Sequence, residues 1–120
     1  MTDTLRCAIV GTGAIARAHA QAIAAYPDAQ LVAVSDLSRE SASAFADEFG
    51  GPTVYDDLDT LLQAEHPDVV HICTPPGAHT AQTLAAFAAG AHVVVEKPPA
   101  PSLDELQQIC LLYTSPSPRD

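Results

Sequence analysis

Gly11, Gly13 and Ala16 stand at the spacing Gly-x-Gly-x-x-Ala, and Asp36 follows the last of them by 20 residues. Small residues so spaced can bring a backbone against a diphosphate. Gly11 allows a tight turn, Gly13 has no Cβ to obstruct approaching phosphates, and Ala16 lets the following helix lie close to the preceding strand. A helix opening at this turn directs its unpaired N–H groups and positive dipole end at the phosphates, so Thr12, Ala14 and Ile15 belong to the same expected contact surface. A carboxylate at Asp36 can accept hydrogen bonds from the hydroxyls of an adenosine ribose. Read singly, these residues have plainer uses: the glycines serve any turn, and Asp36 caps the helix after it.

The elements needed to position these groups are legible around them. The run Leu5 to Val10 reads as a buried strand, and the Ala-rich stretch through Ala25 as the helix after the turn. Gln30 to Asp36 forms a second apolar run. Ser38 then predicts an N-cap for a helix to Phe49, with Gly50-Gly51-Pro52 as its stop. Thr53 to Asp56 predicts a short third strand, after which Asp57 or Asp59 caps a brief helix that Pro67 closes off. Asp68 to Thr74 is almost continuously apolar, as a parallel strand covered on both faces should be. After Pro75-Pro76-Gly77, the residues Ala78, Ala81, Leu84, Ala85 and Ala88 recur at helical spacing and predict the buried face of a helix ended by Gly90. Ala91 to Glu96 is a fifth strand, running into Lys97-Pro98-Pro99, and Ser102 to Ile109 opens another helix.

Five alternations of strand and helix predict an α/β, doubly wound parallel sheet of the Rossmann type, whose ligand lies beyond the carboxyl ends of the strands. The glycine turn, Asp36, Thr74 to Gly77 and Glu96-Lys97-Pro98 all follow strand ends, so one edge collects every candidate functional residue.

Length and composition narrow the function classes. A chain of 120 residues is one domain, large enough for a core. With 48 % hydrophobic residues and no apolar run of spanning length, it reads as a globular rather than a membrane-spanning chain. Net charge is −10, and no basic patch exists to neutralise a phosphate backbone, which argues against nucleic acid and anionic membranes as partners. The start, Met1 to Thr4, lacks the basic and apolar regions of a signal peptide, so a cytoplasmic location is expected. Cys7 and Cys73 fall in predicted strands as small apolar fillers, and the three cysteines show no metal-ligating spacing. His66, His71 and His92 have no partner at ligand spacing and read as structural, while His19 is expected to brace the first helix against a neighbouring loop.

The last eleven residues, Cys110 to Asp120, break the helical pattern and match, residue for residue, the translation of a transposase-library sequencing adapter. They are expected to be an assembly scar, with native sequence ending near Ile109; a Pro/Ser-rich linker is the alternative. The nucleotide-binding domain is then residues 1–109, truncated after five strands. Such a chain is expected to bind cofactor weakly, to show no turnover and to aggregate through its unpaired sheet edge.

From Leu5 to Ile109 the sequence resembles the glucose–fructose oxidoreductase, inositol dehydrogenase and rhizopine catabolism (Gfo/Idh/MocA) oxidoreductases. The resemblance rests on Gly11-Thr12-Gly13-Ala14-Ile15-Ala16 with His19 following, Asp36, Ile72-Cys73-Thr74-Pro75-Pro76-Gly77-Ala78-His79 and, most specifically, Glu96-Lys97-Pro98. One departure is Pro76, where many members carry Asn, so a side-chain amide contact to the cofactor is lost and only backbone contact remains. The resemblance implies an N-terminal NAD(P)-binding domain followed by a substrate-binding α/β domain that often forms the interface of a homo-oligomer. It implies hydride transfer between a nicotinamide and a sugar- or polyol-like alcohol, with Thr74, Pro75, Pro76 and His79 near the cofactor.

Lys97 matches the family's catalytic lysine. At a strand end beside the nicotinamide, its ammonium can bond the reacting hydroxyl and stabilise negative charge developing there. It is the only lysine in the chain; the plainer reading is a surface lysine paired with Glu96. Glu96 is expected to orient Lys97 or contact the nicotinamide ribose, and Pro98 to turn the chain beneath the cofactor. Asp36 would repel a 2′-phosphate and favours NAD, whereas Arg39 could reach a 2′-phosphate and admit NADP. A non-catalytic module that senses nucleotide is the competing function, since one fold serves many roles.

Overall fold

The computed structural model describes residues 4–95. Glu96, Lys97, Pro98, the helix expected from Ser102 and the tail from Cys110 lie outside the described residues.

Strands β1 (Leu5–Val10), β2 (Ala29–Ser35), β3 (Thr53–Tyr55), β4 (Val69–Ile72) and β5 (His92–Val95) alternate with helices α1 (Ala14–Ala25), α2 (Arg39–Glu48), α3 (Leu58–Glu65) and α4 (His79–Ala88). All pairings are parallel, in the order β3-β2-β1-β4-β5. The chain winds outward from β1 to β3, then returns to the other side of β1 with β4. This places the topological switch, where a doubly wound sheet opens a crevice, between β1 and β4.

Register aligns the strand ends. Val10 stands beside Ser35 on one side and Ile72 on the other, Ser35 beside Tyr55, and Ile72 beside Val95. Whatever follows these residues therefore emerges along one edge.

Each face carries its own core. On one, Cys7, Ile9 and Val34 pack against Ala16, Ala20 and Ile23 of α1 and Ala42, Phe45 and Ala46 of α2. On the other, Ala8, Val10, Val70 and Ile72 meet Leu58, Leu61 and Leu62 of α3 and Ala86 of α4. The α1 contacts recur at i, i+4 and i+7, so alanines let the helix approach β1 closely while Ile23 fills the end of the interface. Ile9 and Leu61 are fully buried, each contributing about 1.5–3 kcal/mol of transfer free energy. Truncating Ile9 to Ala would cost about 2–5 kcal/mol.

Helix ends follow the expected signals, with two refinements. Ser38 Oγ accepts from Ser41 N at 3.2 Å to cap α2, and Asp57 Oδ1 accepts from Thr60 N at 2.7 Å to cap α3. Of the two acids offered for α3, Asp57 is therefore the cap. The helix stops at His66, which takes the left-handed conformation (φ 46°) and donates its N–H to Leu62 O, one residue before Pro67.

The predicted face of α4 is rotated. His79, Thr83 and Ala86 are its buried residues, while Ala81 and Ala88 are exposed. Alanines spread around this helix leave its apolar periodicity nearly degenerate. A polar anchor fixes the rotation instead: His79 Nε2 donates to the Thr74 carbonyl at 2.5 Å.

Candidate nucleotide-binding cleft

A cleft of about 800 Å³ opens along the carboxyl edge of the sheet. Its wall is the glycine turn, Gly11 to Ile15, with Ser35, Asp36 and Asp56 toward β2 and β3, and Thr74 and Pro75 toward β4. Eight of the residues singled out in the sequence thus converge here: Gly11, Thr12, Gly13, Ala14, Ile15, Asp36, Thr74 and Pro75.

The two glycines are held to different demands. Gly11 has φ +90°, and a Cβ on it would lie 2.8 Å from both the carbonyl carbon and oxygen of Cys73. Its missing side chain is required by the protein itself, where β1 and β4 end side by side. A Cβ on Gly13 would meet no atom of the described residues within 4 Å. The space beside Gly13 is cleft, which suits a ligand that must touch backbone.

Helix capping sets α1 and α4 apart from α2 and α3. Ser38 and Asp57 cap α2 and α3, but α1, with Gly13 at its N-cap, and α4, with Ala78, have no side-chain cap. The opening turn of α1 therefore presents main-chain N–H groups to the cleft, as an anion requires. Ser35 adds a buried hydroxyl at the cleft with no hydrogen-bond partner among the described residues. These features fit a dinucleotide: open space beside Gly13, an uncapped helix start for the diphosphate, and polar groups beyond it for a ribose.

Asp36 does not cap α2. Its Oδ2 accepts from Thr12 N at 2.7 Å and Thr12 Oγ1 at 2.8 Å, and its Oδ1 accepts from Ser38 N at 2.8 Å. Burial raises the pKa of this carboxyl, but the hydrogen bonds from Ser38, Thr12 and Leu37 outweigh that and hold it below the ordinary value. Because the Thr12 hydroxyl gives its single hydrogen to Asp36, the 2.9 Å contact between Thr12 Oγ1 and Ser41 Oγ must have Ser41 as donor. The carboxylate is thereby fixed, ionised, at the cleft. Sequence reasoning found Asp36 but missed Thr12 and Ser41 as its supports, because no spacing rule joins residues on different elements.

The other expectations land variously. His79 is buried behind the Thr74 loop and is not among the residues lining the cleft. Pro76 opens a 3-10 turn over Pro76–Ala78. Arg39 pairs with Asp56, its Nη1 donating to Oδ1 at 2.6 Å. His19 meets β4 rather than a loop: its Nδ1 lies 2.9 Å from Nδ1 of His71, with the rings edge to face. Burial, and then the charge of His19, lower the His71 pKa to about 4. Among the described residues, no three His, Cys, Asp or Glu side chains converge as metal ligands, and no helix is long and apolar enough to cross a membrane.

A parallel sheet in this order, with a glycine cradle at its switch point and an acid at the end of β2, defines a dinucleotide-binding Rossmann domain. Comparison with known proteins gives the family. The model for the oxidoreductase family with an NAD-binding Rossmann fold (GFO_IDH_MocA) matches residues 5–116, and the chain belongs to that family. It is 41 % identical over 110 residues to a D-glucoside 3-dehydrogenase of Escherichia coli, covering 91 % of this chain and 31 % of the relative. It is 36 % identical over 108 residues to an inositol 2-dehydrogenase/D-chiro-inositol 3-dehydrogenase of Halalkalibacterium halodurans, covering 88 % and 31 %. Among solved structures, the myo-inositol dehydrogenase of Lactobacillus casei in complex with NAD(H) and myo-inositol superposes with a TM-score of 0.85 at 32 % identity, covering 91 % and 33 %. The chain spans about a third of the length of the relatives it matches.

Proposed function

We propose that this chain is the nucleotide-binding half of an NAD(P)-dependent oxidoreductase that moves a hydride between nicotinamide and a sugar- or polyol-like alcohol, with NAD preferred. Residues 1–109 form that half, and a substrate-holding domain belongs to the longer protein. The observation that carries the reading is the open space at Gly13, set between the uncapped start of α1 and the fixed Asp36 carboxylate. Support for the substrate class comes from relatives named as glucoside and inositol dehydrogenases.

The residues divide the work by position. The main-chain N–H groups of the α1 opening turn hold the diphosphate, with Gly13 admitting it. The ionised Asp36 accepts from a ribose hydroxyl and repels a 2′-phosphate, which favours NAD. Thr74 and Pro75 line the far side of the cleft toward β4. The chemistry such a cofactor supplies is the acceptance and return of a hydride. Lys97 is the group assigned to the substrate hydroxyl: its ammonium bonds that oxygen, stabilises charge developing on it and shares its proton. Glu96 orients Lys97 or meets the nicotinamide ribose.

Lys97→Ala in the full-length protein tests the reading. Turnover of the best sugar or polyol substrate should collapse while NAD binding stays measurable. Persisting turnover would remove Lys97 from the chemistry; loss of turnover and binding together would mark a structural lysine.

A further inference from the structure

Arg39 opens α2 directly after the Ser38 cap, three residues beyond Asp36. A cation in the first turn faces the positive end of the helix dipole, so it is poorly placed for the helix and well placed for an anion arriving from the cleft. Its partner is Asp56, the first residue after β3, with Nη1 to Oδ1 at 2.6 Å. Asp56 lines the cleft together with Asp36, whereas Arg39 is not among the lining residues. The two side chains are 62 % and 73 % exposed, so the pair contributes little to stability. What the pair does is decide where the guanidinium rests.

We propose that Asp56 is a second determinant of NAD over NADP: it holds the Arg39 guanidinium on itself, away from any 2′-phosphate, and adds a negative charge to the cleft wall beside Asp36. This rests on the reading that the adenosine ribose meets Asp36. A 2′-phosphate is nearly dianionic at neutral pH, and guanidinium is the side chain best matched to it. In the wild-type chain that phosphate meets two carboxylates and an arginine already engaged. With Asp56 neutralised, Arg39 becomes available three residues from the ribose acid, so one substitution exposes NADP affinity that the sequence already contains.

The test is a set of dissociation constants for NAD+ and NADP+, measured by titration calorimetry near neutral pH on the full-length protein and its D56N, R39Q, D56N/R39Q and D36S variants. D56N should tighten NADP+ about fivefold and leave NAD+ within about twofold. The double variant should return NADP+ toward its wild-type value, and added salt should erode the D56N gain. An NADP+ affinity that is unchanged or undetectable in D56N overturns the proposal, as does an equal gain with Arg39 absent, which would reflect charge removal alone. D36S separates the two readings. If it shifts the NAD+/NADP+ ratio while D56N does not, only the masking role fails; if it leaves the ratio unchanged, the placement of the ribose fails as well.

Discussion

Adding one methyl group at Gly11 or at Gly13 should produce opposite defects. At Gly11 the new Cβ would lie 2.8 Å from the Cys73 carbonyl carbon and oxygen and 3.0 Å from Thr74 Cγ2, on a backbone held at φ +90°. The left-handed conformation costs an L-residue about 1–2 kcal/mol, and forcing a methyl against main chain costs about 1–3 kcal/mol more. Gly11→Ala should thus destabilise the domain by about 2–5 kcal/mol, lowering Tm by at least about 8 °C at the 4–8 °C per kcal/mol typical of this size. Gly13 has φ −81° and ψ −162°, an extended backbone that alanine accepts, and among the described residues no atom lies within 4 Å of its Cβ position. Gly13→Ala should change stability by less than about 1 kcal/mol, because the gain of about 0.4–1 kcal/mol through the unfolded chain is offset by alanine's poorer fit at the N-cap of α1. Its methyl would occupy ligand space, weakening NAD+ by about tenfold or more. Thermal denaturation and NAD+ titration of both variants read these effects. Wild-type NAD+ affinity in Gly13→Ala would refute the placement of the diphosphate, and wild-type Tm in Gly11→Ala would refute the packing argument.

Other outcomes follow from single contacts. His71, with its pKa lowered to about 4 from 6.5, is neutral in the folded state. The unfolded chain takes up that proton first as pH falls, so stability is full above about pH 6.5 and declines toward pH 4. The loss is about 2 kcal/mol once solvent screening of a partly exposed ring is allowed for. His71→Leu should remove this part of the slope in urea denaturation across pH, and an unchanged slope would count against it. Ser38→Ala and Asp57→Ala should each cost about 1 kcal/mol, and the costs should add, because the caps serve helices on opposite faces. Strong coupling between them in a double variant would show that the helix starts are not independent. Asp36→Ser should relax the preference for NAD over NADP, and an unchanged ratio of dissociation constants would detach Asp36 from the ribose.

Much of the fold was legible in the sequence because strand and helix order is written in short-range periodicity. Apolar runs ended by Gly11, Asp36 and Pro75, and helices ended by Gly50 and Gly90, mark β1, β2, β4 and their following helices to within a residue or two, and parallel connection through helices then leaves few topologies. The α4 face was not legible, since its alanines point every way and the deciding bond runs from His79 to the carbonyl of Thr74. The His19–His71 contact joins residues 52 positions apart and has no local signature.

For the candidate site, the sequence alone determined a Gly11-x-Gly13 turn and an acid at Asp36 at the ends of two strands, since both are read from residue type and local spacing. It could not tell which glycine the protein's own packing requires and which one faces open cleft. That depended on β4 coming to rest beside β1, putting Cys73 against Gly11 and leaving Gly13 open. Nor could it tell whether Arg39 was available. That depended on β3 pairing with β2, so that Asp56 emerges where it can take the guanidinium. Both questions concern distances between strand ends far apart in the chain, which exist only once the sheet has assembled.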